Sequence, residues 1–158
     1  MEVLVFELDG RRFGIAASEV REIVRAVTIA PLPKAPLQVE GIISLRGRVI
    51  LVVDIRRRLA LPAKPPDVSD QLIVGQVGEH LAAIRVDRAL ELAQVQANTI
   101  DHAGGALSGT DAASDVAVLP NGIVPICGFH SLLCLAESPA LAGLLAASRS
   151  NAKKERRS

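Results

Sequence analysis

The residue types that could do covalent chemistry are few in this chain and poorly placed for it. His80, His102 and His130 share no spacing. Cys127 and Cys134 have six residues between them, too many for a Cys-x-x-Cys metal or redox motif. Gly105-Ala106-Leu107-Ser108-Gly109 misses the Gly-x-Ser-x-Gly nucleophile elbow by one place, and no strand leads into it. The phosphate-cradling Gly-x-x-x-x-Gly-Lys, the dinucleotide Gly-x-Gly-x-x-Gly and the zinc-binding His-Glu-x-x-His are all missing. Both cysteines stand among apolar neighbours and read as small buried hydrophobes. No catalytic activity, metal or cofactor is expected. The chemistry on offer is non-covalent, and its centre is the charged turn Arg46-Gly47-Arg48 between two apolar runs. A rigid scaffold that presents a charged side chain on a tight turn is a common design for recognition sites.

The elements that must position this turn are strands. Gly41 to Leu45 forms an apolar strand that stops at the turn, and a second runs from Val49 to Val53. Val49, Ile50, Leu51, Val52 and Val53 are apolar on both alternating faces, so this strand is expected to be covered on both sides. Arg46 then sits at the rim of a packed barrel or sandwich, where Gly47 permits positive φ. Asp54 opens the basic segment Arg56-Arg57-Arg58 and is read as a helix cap.

Elsewhere the pattern is of hairpins joined by short pieces. Val3–Leu8 and Arg12–Ile15 flank Asp9-Gly10, a tight-turn signal. Ser18 is expected to cap a short helical turn holding Glu19, Val20 and Arg21, before extended structure over Glu22–Val27. The prolines of 30–36 force an irregular surface connection, and Lys64-Pro65-Pro66-Asp67 marks another loop. Residues 71–77 and 80–86 pair around Gly78-Glu79, with a strand-like stretch following to Val95. His102–Asp115 reads as a mobile loop. Val116–Leu119 and Ile123–Ile126 form a hairpin around Asn121-Gly122, and 128–135 a short helix. Ser138-Pro139 starts a C-terminal helix whose Leu141, Leu144 and Leu145 make a narrow apolar stripe, expected to cover a seam of this same protein.

A weak internal echo runs through this layout. Ser18-Glu19-Val20-Arg21-Glu22-Ile23 is matched by Asp87-Arg88-Ala89-Leu90-Glu91-Leu92, each straight after a hairpin. Gly47 onward through Leu59 is matched by Gly122 onward through Leu133. Two similar β-rich halves imply two small barrels, each too small to be comfortable alone.

Gly41 to Leu59, GIISLRGRVILVVDIRRRL, resembles the signature of CheW-type coupling proteins: an apolar strand, Leu-Arg-Gly, an apolar strand and Asp-Ile in that order. Ala30–Pro36 and Leu59-Ala60-Leu61-Pro62 also stand where that family has comparable segments. The resemblance covers about residues 2–135 and fades beyond 100. It implies a mainly β fold of two five-stranded SH3-like barrel subdomains, with short helices and a C-terminal helix. The expected layout is a CheW-like domain over 1–137, with intertwined subdomains over roughly 1–66 and 67–137, then a helix and basic tail over 138–158.

The resemblance further implies a non-enzymatic adaptor that joins a chemoreceptor's cytoplasmic tip to the regulatory domain of a CheA-type histidine kinase. A groove between the subdomains would take the receptor's helical hairpin. The candidate partner-binding residues are Arg46, Gly47, Val20, Glu22, Leu45 and Arg48. Arg46 matches the arginine that the family carries near its receptor and kinase contacts; a strut bonded to loop carbonyls is the competing reading. Val20 and Glu22 match a segment associated with partner binding, although Val20 could equally pack under the barrel. The family has Asp or Asn near the start of its second short helix, where this chain has Cys127-Gly128-Phe129-His130. That departure leaves open a divergent coupler of a motility or other non-chemotactic pathway, with altered kinase docking.

Composition and charge restrict the alternatives. The chain of 158 residues is 49% apolar and 22% charged, an ordinary globular balance. Three Phe and no Trp or Tyr leave almost no platform for stacking bases, which counts against a small-barrel nucleic-acid binder. Net charge is +1, yet Arg149, Lys153, Lys154, Arg156 and Arg157 against Glu155 concentrate +4 in the last ten residues. This tail reads as solvated chain rather than as a nucleic-acid or membrane contact. The N-terminus enters Val3-Leu4-Val5-Phe6 with no targeting pattern, and no run is long enough to cross a bilayer. A cytoplasmic protein, recruited to membrane-bound receptor arrays and not inserted in the membrane, is the expectation.

Overall fold

A computed structural model describes residues 1–25, 28–77, 79–95, 100–101, 113–120 and 122–133. The chain opens with strand β1 (Glu2–Leu8), turns at Asp9-Gly10 and returns as β2 (Arg11–Ala16). Both turn residues have positive φ, 54° and 73°, the twist that joins two antiparallel strands in two residues. A 3-10 turn (Ala17–Glu19) leads into β3 (Val20–Arg25). Ser18 lies within that turn and caps nothing; Ala16 holds the preceding position, and Val20 and Arg21 are already extended. The first long hairpin is β4 (Val39–Leu45) with β5 (Arg48–Val53), so Arg48 belongs to the strand and only Arg46-Gly47 to the turn.

The second half repeats the plan. Its elements are β6 (Gln71–Val77), β7 (His80–Val86), β8 (Arg88–Gln94), the short β9 (Ile100–Asp101), β10 (Ala113–Leu119), β11 (Gly122–Cys127) and helix α1 (Phe129–Leu133). Ala113–Asp115 is strand rather than loop: pairing with Ile126 and Cys127 imposes extended backbone on residues of weak β propensity. Residues 102–112, the rest of the expected short helix beyond Leu133, and the expected C-terminal helix and tail lie outside the described residues. Among the described residues no helix is long and apolar enough to cross a membrane.

The fold is mainly β, and the two halves exchange strands. One sheet has the order β8-β1-β2-β11-β10-β9 and the other β3-β6-β7-β5-β4. Each sheet is therefore the opening hairpin of one half built upon by strands of the other, four in the first sheet and three in the second. β3 leaves its own hairpin to pair antiparallel with β6, and β8 does the same with β1. β5 joins β7 in parallel, and β11 joins β2 in parallel. The weak sequence echo is thus a true topological repeat. The two-residue β9 adds a sixth strand to the first sheet, one more than expected.

Three apolar clusters follow from this exchange. Ile43, Ile50, Val52, Leu72, Val74 and Ala83 fill the second sheet, while Val3, Val5, Val95, Ala117 and Ile126 fill the first. The largest cluster joins the sheets, with Leu4, Phe6, Leu8 and Ile15 from one meeting Leu51, Val53, Ile73 and Ile84 from the other. β5 feeds two of these clusters through alternate residues, Ile50 and Val52 to one and Leu51 and Val53 to the next. Covering on both faces is what its unbroken apolar run demanded.

Helix α1 is fastened across the seam. The Phe129 N–H donates to Glu19 Oε2 at 2.6 Å, so Glu19 supplies the acceptor that the Cys127–His130 stretch lacks. Gly75 makes room for this join: a Cβ there would lie 2.7 Å from Phe129 Cζ and 2.8 Å from the Glu19 carbonyl oxygen. Gly75→Ala is expected to destabilise the fold by about 1–3 kcal/mol through this overpacking, read by urea unfolding. A variant as stable as the parent would show that α1 is free to shift.

Asp54 caps a turn, not a helix: its Oδ1 accepts from the Arg56 N–H at 2.9 Å, and successive turns run to Leu61. The segment beyond is held by buried charge. Arg85, 2% exposed, bonds Asp70 at 2.8 Å, Glu40 at 2.7–2.8 Å through Nε, and the Lys64 carbonyl at 2.7 Å. Burial opposes the Arg85 charge, but the hydrogen bonds it donates to Glu40 and Asp70 outweigh this and hold its pKa above the usual value. Arg56, also 2% exposed, pairs with Asp87 at 2.5 Å, and Asp87 accepts from the Asp9 N–H at 2.8 Å. This ties the hairpin turn of one sheet to the strand end of the other.

Burial works to raise the Asp87 carboxyl, but the Asp9 N–H and Arg56 hold it below its ordinary 3.8. A depressed carboxylate contributes stability that is complete above its unfolded pKa and lost as the pH falls through the folded one. The melting-temperature advantage of the parent over Asp87→Asn is therefore expected to shrink steadily below about pH 4. A constant difference from pH 7 to pH 3 would remove Asp87 from the acid response.

Candidate docking site

The Arg46-Gly47 turn places the site at one end of the second sheet. Arg46 and Gly47 have φ of 53° and 77°, a primed turn whose conformation costs arginine something and glycine nothing. A side chain at Gly47 would meet nothing within 4 Å, so the tip is open. Arg46 leans across to β3: its Nη1 and Nη2 each donate to one oxygen of the Glu22 carboxylate at 3.0 Å. The partner of Arg46 is thus a carboxylate and not a loop carbonyl. The Arg46 side chain is 76% exposed and that of Glu22 28%, a bidentate pair near solvent. Such a pair holds geometry well and contributes at most about 1 kcal/mol to stability.

Around this pair lies a cleft of about 480 Å³. Arg21 and Glu22 of β3 line it together with Arg46 and Arg48. Gln76, Glu79 and Leu81, on and beside the β6–β7 hairpin, close the other side. Arg21 and Glu22 are sequence neighbours, and simple alternation would send them to opposite faces. The register slip between Val20 and Glu22 against β6 brings both to the cleft. Arg21 Nη2 donates to Gln76 Oε1.

The structure gathers some of the expected residues and separates others. Glu22, Arg46 and Arg48 converge on the cleft, with Gly47 at its rim. Leu45 is half-buried and packs on the core of the second sheet, while Val20 packs on the cluster between the sheets. These two support the site from beneath. The cleft opens at the end of one sheet, and its lining comes from that sheet's strands and turns alone. Arg21, Gln76, Glu79 and Leu81 were not legible as site residues. A bulge and a strand taken from the other half bring them in, and neither leaves a local signature.

Chemically the cleft offers guanidinium, carboxylate, amide and one leucine, groups suited to a charged and partly apolar contact. Cys127 is buried away from it, and burial pushes its thiol up to about 12, far from a nucleophile's range.

Comparison with known proteins adds to this geometry. Residues 2–137 match the family model described as CheW-like domain. Over 94 residues the chain is 34% identical to the chemotaxis protein CheW of Rhizobium meliloti (strain 1021), covering 60% of this chain and 61% of that protein. Over 94 residues it is 30% identical to the protein FrzA of Myxococcus xanthus, covering 60% of this chain and 59% of FrzA. The chain thus spans about three fifths of the length of these relatives. The crystal structure of the scaffolding protein TtCheW from Thermoanaerobacter tengcongensis superposes with a TM-score of 0.77 at 26% identity, over 84% of this chain and 91% of that one.

Proposed function

This chain belongs to the CheW-like domain family, and on that premise we propose that it is a non-enzymatic scaffold of a bacterial chemosensory pathway. It couples the cytoplasmic tip of a chemoreceptor to the regulatory domain of a CheA-type histidine kinase, in the cytoplasm beside membrane-bound receptor arrays. The observation that carries this reading is the bidentate Arg46–Glu22 pair, exposed on a stiff turn at the mouth of a polar cleft. A rigid scaffold presenting charged groups on a tight turn is built to recognise a surface rather than to turn over a substrate. Arg46, Gly47, Glu22 and Arg48 would meet the partner, with Leu45 and Val20 holding their backbone.

The departure at Cys127–His130 favours a second version of the same reading, a divergent coupler with altered kinase docking in a motility or other non-chemotactic pathway. Binding of the purified full chain to a receptor-tip fragment and to a kinase regulatory domain, singly and together, tests both. Binding to both supports the coupler, and binding to the receptor alone supports the divergent form. Binding to neither, with a steep salt-dependent affinity for nucleic acid, would replace the proposal with the small-barrel nucleic-acid reading.

A further inference from the structure

The cleft carries more guanidinium than it neutralises. Three arginines line it against two carboxylates. Arg46 is closed upon Glu22, and Glu79 has an interaction of its own. Arg21 bonds the uncharged amide of Gln76 and keeps its other donors. The guanidinium of Arg48, half-buried at the foot of the turn, has no hydrogen-bond or ion-pair partner among the described residues. Partly desolvating a cation without a partner is unfavourable, and an incoming anion would relieve that cost.

The fold itself does not require these charges, and the other half of the molecule serves as the control. Glu22 opposite Val74 corresponds in register to Glu91 opposite Val5. Arg48 opposite Leu45 corresponds to Gly122 opposite Leu119. By the same registers Arg21 answers to Leu90 and Arg46 to Pro120. The same hairpin and the same edge strand therefore form with leucine, proline and glycine where the cleft has arginine. Only the glutamate is shared.

We propose that Arg48 and Arg21 form a specificity-determining pair that takes a carboxylate of the docked protein, with Leu81 receiving an apolar residue beside it. This rests on the scaffold reading above and adds the chemistry of the contact: the partner segment is acidic where it enters the cleft. Arg46 and Glu22 frame the entrance, and Arg48 and Arg21 read what enters.

The test uses the full chain with Arg48→Gln, Arg48→Glu and Arg21→Gln, and titrates each against a receptor-tip fragment and a kinase regulatory domain at low and high salt. Arg48→Glu is expected to weaken one of the two complexes by roughly tenfold or more, and Arg48→Gln by a few-fold, with the gap narrowing at high salt. Exchanging a single partner carboxylate for lysine should then restore the Arg48→Glu complex. Arg48→Gln keeps the test valid if the reversal also lowers the melting temperature. If both Arg48 variants bind both partners as the parent does while Arg46→Ala does not, the carboxylate inference fails and the scaffold reading stands. Loss of binding that no carboxylate-to-lysine exchange restores also overturns it. If the parent chain binds neither probe, the scaffold reading itself fails.

Discussion

Arg46→Glu is expected to abolish measurable partner binding while leaving the fold nearly as stable as the parent. The two effects separate because the residue is bound to one side chain only and stands mostly in solvent. The strands on either side keep Ile43, Ile50 and Val52 buried whatever occupies the turn. The stability cost should therefore stay within about 1 kcal/mol, the worth of an exposed pair plus the repulsion of two facing carboxylates. An arginine near the centre of an interface commonly costs roughly 2 kcal/mol or more when truncated, about thirtyfold in affinity. Reversal is worse than truncation, because it sets a like charge against whatever Arg46 and Glu22 meet. Arg46→Ala should thus be intermediate. Combining Arg46→Glu with Glu22→Arg rebuilds the pair with the opposite polarity. If that double variant binds normally, the pair matters only as a brace for the turn. If the melting temperature of Arg46→Glu collapses while its folded fraction binds normally, Arg46 is structural and the docking assignment is wrong.

The largest effect on stability is expected from Asp70→Ala. It strips Arg85 of a buried partner at 2.8 Å and leaves the guanidinium, 2% exposed, with Glu40 and one carbonyl. The Asp67 N–H, which donates to Asp70 at 2.9 Å, loses its acceptor as well. Removing one member of a buried pair typically costs about 3–5 kcal/mol, because the charge left behind cannot be rehydrated. Asp70→Ala should lower the urea midpoint by a correspondingly large margin with an unchanged slope. An Asp70→Ala penalty below about 1 kcal/mol would show that Glu40 alone satisfies Arg85 and that the network is looser than its distances indicate.

Much of the local architecture could be read along the chain. Asp9-Gly10 forms the two-residue turn its type favours, and Gly47 takes the positive φ expected of it in the turn at Arg46. The unbroken apolar run of Val49–Val53 announced a strand buried on both faces, and the matched segments after each hairpin announced a repeat. Ser18 and Asp54 show where that reading overreached. A residue able to cap a helix is no proof of one: Ser18 lies inside a 3-10 turn with no side-chain cap bond, and the Asp54 carboxylate closes an Asx-type turn instead.

Turn type and strand period are properties of a few consecutive residues, so composition and spacing alone determined the β character, the hairpins and the charged turn at Arg46. Tertiary structure decided what those pieces were for. Glu22 meets Arg46 across 24 positions, Arg56 meets Asp87 across 31, and Glu19 reaches Phe129 across 110. Arg21 joins the cleft only because β3 slips one register against a strand from the other half. No short window holds both partners of such contacts, and each pairing exists only once the halves have exchanged strands. The exchange is driven by burial of the large cluster between the sheets, a sum over residues from the whole chain that no segment carries by itself.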